Sequence, residues 1–96
     1  MLGVSYRQDV GDTRYSPAET LTRALEARGA KVTGFDPFVD NWPEMGRSLP
    51  SSLPEAETYD AVVMATPHRE FLDLDLPGWL GSSRPIVLDA ANVITK

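Results

Sequence analysis

Residues 3–17 read GVSYRQDVGDTRYSP, and the order of residue types in this stretch decides the fold. Residues 2–6 read as a short β-strand, and residues 9–15 as a polar turn. Ser16 then opens a helix. It is a good N-cap, Pro17 suits the first helical position, and Glu19 completes a Ser-x-x-Glu capping box. Ala18, Leu21, Ala24, Leu25 and Arg28 follow at helical spacing, with the aliphatic members expected on one face. Gly29 is a natural terminator.

Outward from this unit, residues 31–35 read as a second strand, stopped by Asp36-Pro37. Residues 41–53 are rich in Pro, Ser and Gly and read as an irregular connection, and residues 54–58 as a short helix. Residues 61–65 form a continuous apolar run, expected of a strand buried on both faces. Residues 67–80 read as a loop with one or two helical turns, and residues 86–88 as a fourth strand ending at Asp89. Alternation of this kind predicts an α/β fold, a Rossmann-like three-layer sandwich with a short parallel sheet. Right-handed crossovers favour strand order 2-1-3-4, with the strand near Leu2 inside.

The chain has 96 residues, which suits one domain. Its apolar fraction of 42% and charged fraction of 24% are ordinary for a soluble globular protein. With no cysteine, disulfides and thiolate metal sites are excluded. The net charge of −5 argues against nucleic acid as a partner. Residues 61–65, the longest apolar run, are too few to cross a bilayer, and no signal-peptide pattern stands at the start, so a cytoplasmic protein is expected.

In open parallel α/β sheets, ligands bind beyond the carboxyl ends of the strands. Arg7, Asp36, Thr66, His68, Asp89 and Asn92 should therefore share one rim. A strand, turn and helix followed by an acid at Asp36 superficially suggests a dinucleotide site, with the acid on the ribose. The first turn lacks the glycines that such a site needs, so Asp36 reads instead as a structural strand-end residue.

Five ordered motifs resemble the C-terminal, nucleotide-sugar-binding domain of the UDP-glucose/GDP-mannose dehydrogenase family. The first is the opening stretch, with Gly3, Tyr6, Arg7, Asp9, Asp12, Arg14, Ser16 and Pro17 at the matching places. Gly29-Ala30-Lys31-Val32 with Phe35-Asp36-Pro37 is the second, and Tyr59-Asp60-Ala61-Val62-Val63 the third. Thr66-Pro67-His68-Arg69-Glu70-Phe71 and Val87-Leu88-Asp89 with Asn92-Val93 complete the series.

The resemblance implies that Tyr6 and Arg7 contact the nucleotide sugar. Arg replaces the family's usual Lys there, keeping the charge but offering a planar fork. The plainer alternatives are a packed Tyr6 and a solvated Arg7. Arg14, His68 and Asn92 are candidate site or interface residues. Asp12 and Arg14 also read as a local ion pair that fixes the turn, and His68 as a structural histidine. One departure stands out: the family's closing motif carries an arginine where this chain has Ala91.

The resemblance further implies a parent enzyme that oxidises the sugar C6 alcohol to a carboxylate in two NAD-dependent steps, through a thiolate that this chain lacks. Residues 1–96 are expected to be the UDP-sugar-binding domain, excised or truncated from that larger dehydrogenase and inactive alone. NAD would be bound by the parent and no cofactor by this domain. The expected partners are a UDP-sugar and the parent's N-terminal NAD-binding and central dimerisation domains, in a homodimer. The alternatives are a structural or assembly module with a degenerate nucleotide site and a small stand-alone NAD-binding domain.

Overall fold

A computed structural model describes residues 1–7, 9–82 and 85–90. Ser16 caps the first helix, α1 (Pro17–Ala27), its side-chain oxygen accepting from the Ala18 N–H at 3.1 Å. Pro17 occupies the first turn, where the lack of an N–H costs nothing. Gly29 follows the C-cap with φ +94°, and its N–H satisfies the Glu26 carbonyl. The capping box does not close: Glu19 pairs with Arg23 one turn on, at 3.0 Å. The buried face is also rotated from its expected position. Ala18 and Thr22 are buried, Leu21 and Leu25 half-buried, and Ala24 is exposed.

The segment at residues 2–6 is not a continuous strand. Leu2 makes isolated parallel bridges to Phe35 and to Met64. Its N–H donates to the Val63 carbonyl at 2.7 Å, and its own carbonyl accepts from Ala65 at 2.9 Å. Gly3 then turns the backbone to φ +94°, a region open to glycine but costly for residues with a Cβ. A Cβ on Gly3 would also stand 2.7 Å from the Thr66 nitrogen and 2.6 Å from its Oγ1. In an extended strand Leu2 and Val4 would share a face. Here the turn at Gly3 sends them into different core clusters, Leu2 with Val62, Met64 and Phe71, and Val4 with Ala18, Val39 and Trp42. Residues 31–35 likewise contribute a single bridge at Phe35, not the expected strand.

The connection at residues 41–53 is more ordered than its composition implies. Strands β1 (Asn41–Trp42) and β2 (Arg47–Ser48) pair antiparallel around a 3₁₀ turn at Pro43–Met45. Gly46 closes that turn in the left-handed region. The hairpin places Trp42 in the core with no exposed surface. Arg47 fastens it to α1 through two 2.9 Å bonds to the Glu26 carboxylate. These bonds hold the Glu26 carboxyl below the ordinary range and raise the Arg47 guanidinium above its own.

A 3₁₀ turn at Ala56–Thr58 precedes β3 (Ala61–Met64), which pairs in parallel with β4 (Ile86–Asp89), Met64 opposite Asp89. Burial along β3 alternates, Val62 and Met64 in and Ala61 out, so the strand is not buried on both faces. Ala61 and Val63 instead border a concavity of about 660 Å³ near the starts of these segments. Between β3 and β4 lie α2 (Arg69–Leu72) and α3 (Leu76–Leu80), in keeping with the expected loop of one or two helical turns. Phe71 from α2 is buried against Leu2, Val62 and Met64.

Candidate functional site

The Asp36 carboxylate, with none of its side chain exposed, organises the ends of three segments. Its Oδ2 accepts from the Val4 N–H at 2.9 Å, the Ser5 N–H at 3.1 Å and the Ser5 hydroxyl at 2.8 Å. His68 Nε2 lies 2.8 Å from the same oxygen. Oδ1 accepts from the Phe38 N–H at 2.9 Å, so the turn after Asp36 is set by the same side chain. A buried carboxylate is tolerable only with such saturation, because charge-assisted bonds must replace its lost hydration.

His68 extends the network to the loop bearing Tyr6 and Arg7. The Asp9 N–H donates to His68 Nδ1 at 2.7 Å, which makes Nδ1 the acceptor and leaves Nε2 as the donor to Asp36. Asp9 has φ +59°, and its Oδ1 accepts from the Arg69 N–H at 2.8 Å, joining the loop to the start of α2. Ser5 is held equally firmly. Its carbonyl accepts from the Thr66 hydroxyl at 3.0 Å and from the Ser16 hydroxyl at 3.4 Å. Phe38 packs on the imidazole with ring centroids 4.9 Å apart.

Of the expected rim, Asp36, Thr66 and His68 are thus joined into one hydrogen-bonded network, with Ser5 as the link between Asp36 and Thr66. Tyr6 is 55% exposed, so it is not a core residue, and Arg7 beside it is exposed as well. Arg14 points to solvent and chelates Asp12 through Nε at 3.0 Å and a terminal nitrogen at 2.8 Å. The local ion pair expected there is therefore formed. It holds the Asp12 carboxyl at about 2, chiefly through the Arg14 side-chain hydrogen bonds. Asn92 and Ala91 lie outside the described residues. Sequence reasoning missed Ser5 and Asp9 as anchors, and nothing local in their types distinguishes them from ordinary turn residues.

Asp36 is not accessible to a ribose, and the Val4 and Ser5 amides that would face a pyrophosphate already face Asp36. These residues do not fit a dinucleotide at this turn. Among the described residues, no group of three or more acids, histidines or cysteines is placed to hold a metal ion, and no helix is long and apolar enough to cross a membrane.

The architecture is a small α/β domain with short sheets, one of them parallel, and a rim of anchored loops. The chain belongs to the UDP-glucose/GDP-mannose dehydrogenase family, whose UDP binding domain matches residues 1–96. It is 32% identical, over its whole length, to UDP-glucose 6-dehydrogenase of Rhizobium meliloti (strain 1021), covering 23% of that protein. It is also 32% identical to UDP-N-acetyl-D-mannosamine dehydrogenase of Pyrococcus horikoshii, covering 100% of this chain and 22% of that protein. The solved structure of UDP-D-ManNAc dehydrogenase from Pyrococcus horikoshii superposes with a TM-score of 0.82 over 99% of this chain and 22% of that one. The chain thus spans less than a quarter of the length of these relatives, matching their C-terminal part.

Proposed function

We propose that this chain binds the UDP moiety of a UDP-sugar as the nucleotide-binding domain of an NAD-dependent UDP-sugar 6-dehydrogenase, with Tyr6 and Arg7 on the ligand. One observation carries the site assignment. Ser5 and Asp9, on either side of Tyr6 and Arg7, are both tied into the buried Asp36–His68 network, while Tyr6 and Arg7 themselves face solvent. Preorganised, outward side chains lose less entropy on binding than free ones. The Arg7 fork matches a phosphate oxygen pair, and the Tyr6 ring offers an aromatic face.

In this reading the segment at Phe35, the segment at Leu2, β3 and β4 lie side by side in that order within a three-layer sandwich (the expected order 2-1-3-4, which counts the first two segments as strands), supported by the two parallel bridges of Leu2 and the β3–β4 pair. NAD, the cysteine nucleophile and dimerisation belong to the other parts of the parent, in the cytoplasm, and catalysis requires those parts. The whole-length match to a UDP binding domain favours this over an assembly module with a degenerate site. Arg14 and Asn92 stand as further candidates at the site or at a subunit boundary.

The test is titration of the chain with UDP, followed by amide NMR and calorimetry. Tyr6 and Arg7 resonances are expected to shift, and Arg7→Ala to weaken binding by about tenfold or more, the loss of one charge-assisted bond. Absence of any shift at millimolar UDP would overturn the binding reading. Unchanged affinity in Arg7→Ala would remove Arg7 from the site.

A further inference from the structure

We propose that His68, although fully buried, is the positioning residue of the nucleotide site: it holds the loop that presents Tyr6 and Arg7. The proposal rests on the reading that these two residues face the nucleotide. Its basis is the two-sided bonding of the imidazole. Nε2 is anchored 2.8 Å from a carboxylate that has no exposure, and Nδ1 receives the Asp9 N–H at 2.7 Å. The ring therefore transmits the fixed position of the core to the far end of the loop.

Asp9 needs such a hold. Its φ of +59° lies in a region sparsely populated by residues with a side chain, though aspartate tolerates it better than most. The bond to His68 Nδ1 and the bond from the Arg69 N–H to Asp9 Oδ1 together keep that conformation. Phe38 and Phe71 pack on the imidazole at centroid distances of 4.9 and 5.7 Å, so the ring cannot swing away to release the amide. At the near end of the loop Ser5 is bonded to Asp36 directly. Without His68, Asp9 would keep the Arg69 bond but lose its tie to the buried Asp36 network.

The two ring nitrogens can be separated by substitution, because a glutamine side chain places its terminal amide near the Nε2 position and an asparagine near Nδ1. His68→Gln keeps a donor for Asp36 and loses the acceptor for Asp9. His68→Asn keeps the acceptor and leaves Asp36 one donor short. Amide hydrogen exchange on the free chain reads the loop without any ligand, and a UDP titration reads its consequence.

For His68→Gln we expect Asp9 amide exchange to accelerate by about tenfold or more, with Val4 and Ser5 still protected, and UDP binding to weaken by about tenfold, the scale of one hydrogen bond. For His68→Asn we expect a lower melting temperature with Asp9 protection and UDP affinity close to wild type. Unchanged Asp9 exchange in His68→Gln would overturn the proposal. So would a loss of UDP affinity that merely follows the loss of thermal stability across both variants. If the wild-type chain binds no UDP, the binding reading fails by itself, and Asp9 exchange still decides whether His68 sets the loop.

Discussion

His68 Nε2 stands 2.8 Å from Asp36 Oδ2, and neither side chain has any exposed surface. The relationship joins residues 32 positions apart in the chain and closes the ends of three segments on one point. It makes Asp36 a structural acceptor, in keeping with the reading of Asp36 as a structural strand-end residue.

Asp36→Asn tests that assignment. The amide keeps the shape but turns one acceptor oxygen into a donor that faces N–H groups. Loss of a buried, multiply bonded carboxylate should destabilise the chain by about 3 kcal/mol or more, read as a lower urea midpoint at unchanged slope. An unchanged midpoint would reopen the ribose-binding reading of Asp36.

Asp12 provides a prediction in pH. Its carboxyl is held at about 2, below its ordinary value of 3.8, by hydrogen bonds from Arg14. A folded-state value below the unfolded one means that the pair's contribution is complete above the unfolded value. It is lost as pH falls through about 2. Carbon-detected NMR titration should give a midpoint near 2 for Asp12, returning toward 3.8 in Arg14→Ala. An ordinary midpoint in the wild-type chain would show that the exposed pair does not persist in solution.

Thr22 lies on the buried face of α1 with no exposure, and its hydroxyl has no hydrogen-bond partner among the described residues. Thr22→Val preserves the shape and removes the desolvated polar atom. We expect a gain of about 1 kcal/mol, which for a domain of this size raises the melting temperature by roughly 4–8 °C. A lower melting temperature would reveal an acceptor for the hydroxyl in solution.

The beginning and end of α1 were legible because capping chemistry is local. Ser16 needs only the Ala18 amide, and Gly29 only the backbone behind it. The fourth strand was legible for a similar reason, as an apolar run bounded by Pro85 and Asp89. The hairpin at residues 41–48 was not. Its strands are two residues long, too short for any period to appear, and what orders them is the burial of Trp42 and the Arg47–Glu26 pair. The segment at residues 2–6 departs from the strand its apolar composition suits, because its Val4 and Ser5 amides bond to Asp36 instead of a neighbouring strand.

For the candidate site, residue order alone shows which family motifs are present and where along the chain Tyr6, Arg7, Asp36 and His68 fall. Those motifs are strings of residue types in order, and order is all that a chain carries before it folds. Which of these residues face solvent and which serve as anchors is set by contacts between distant segments. His68 and Arg7 are both polar residues following apolar segments, and nothing nearby in sequence tells them apart. They are separated by the Asp36 carboxylate, which must gather donors from distant segments to remain buried. In doing so it draws in His68 and leaves Tyr6 and Arg7 on the outside.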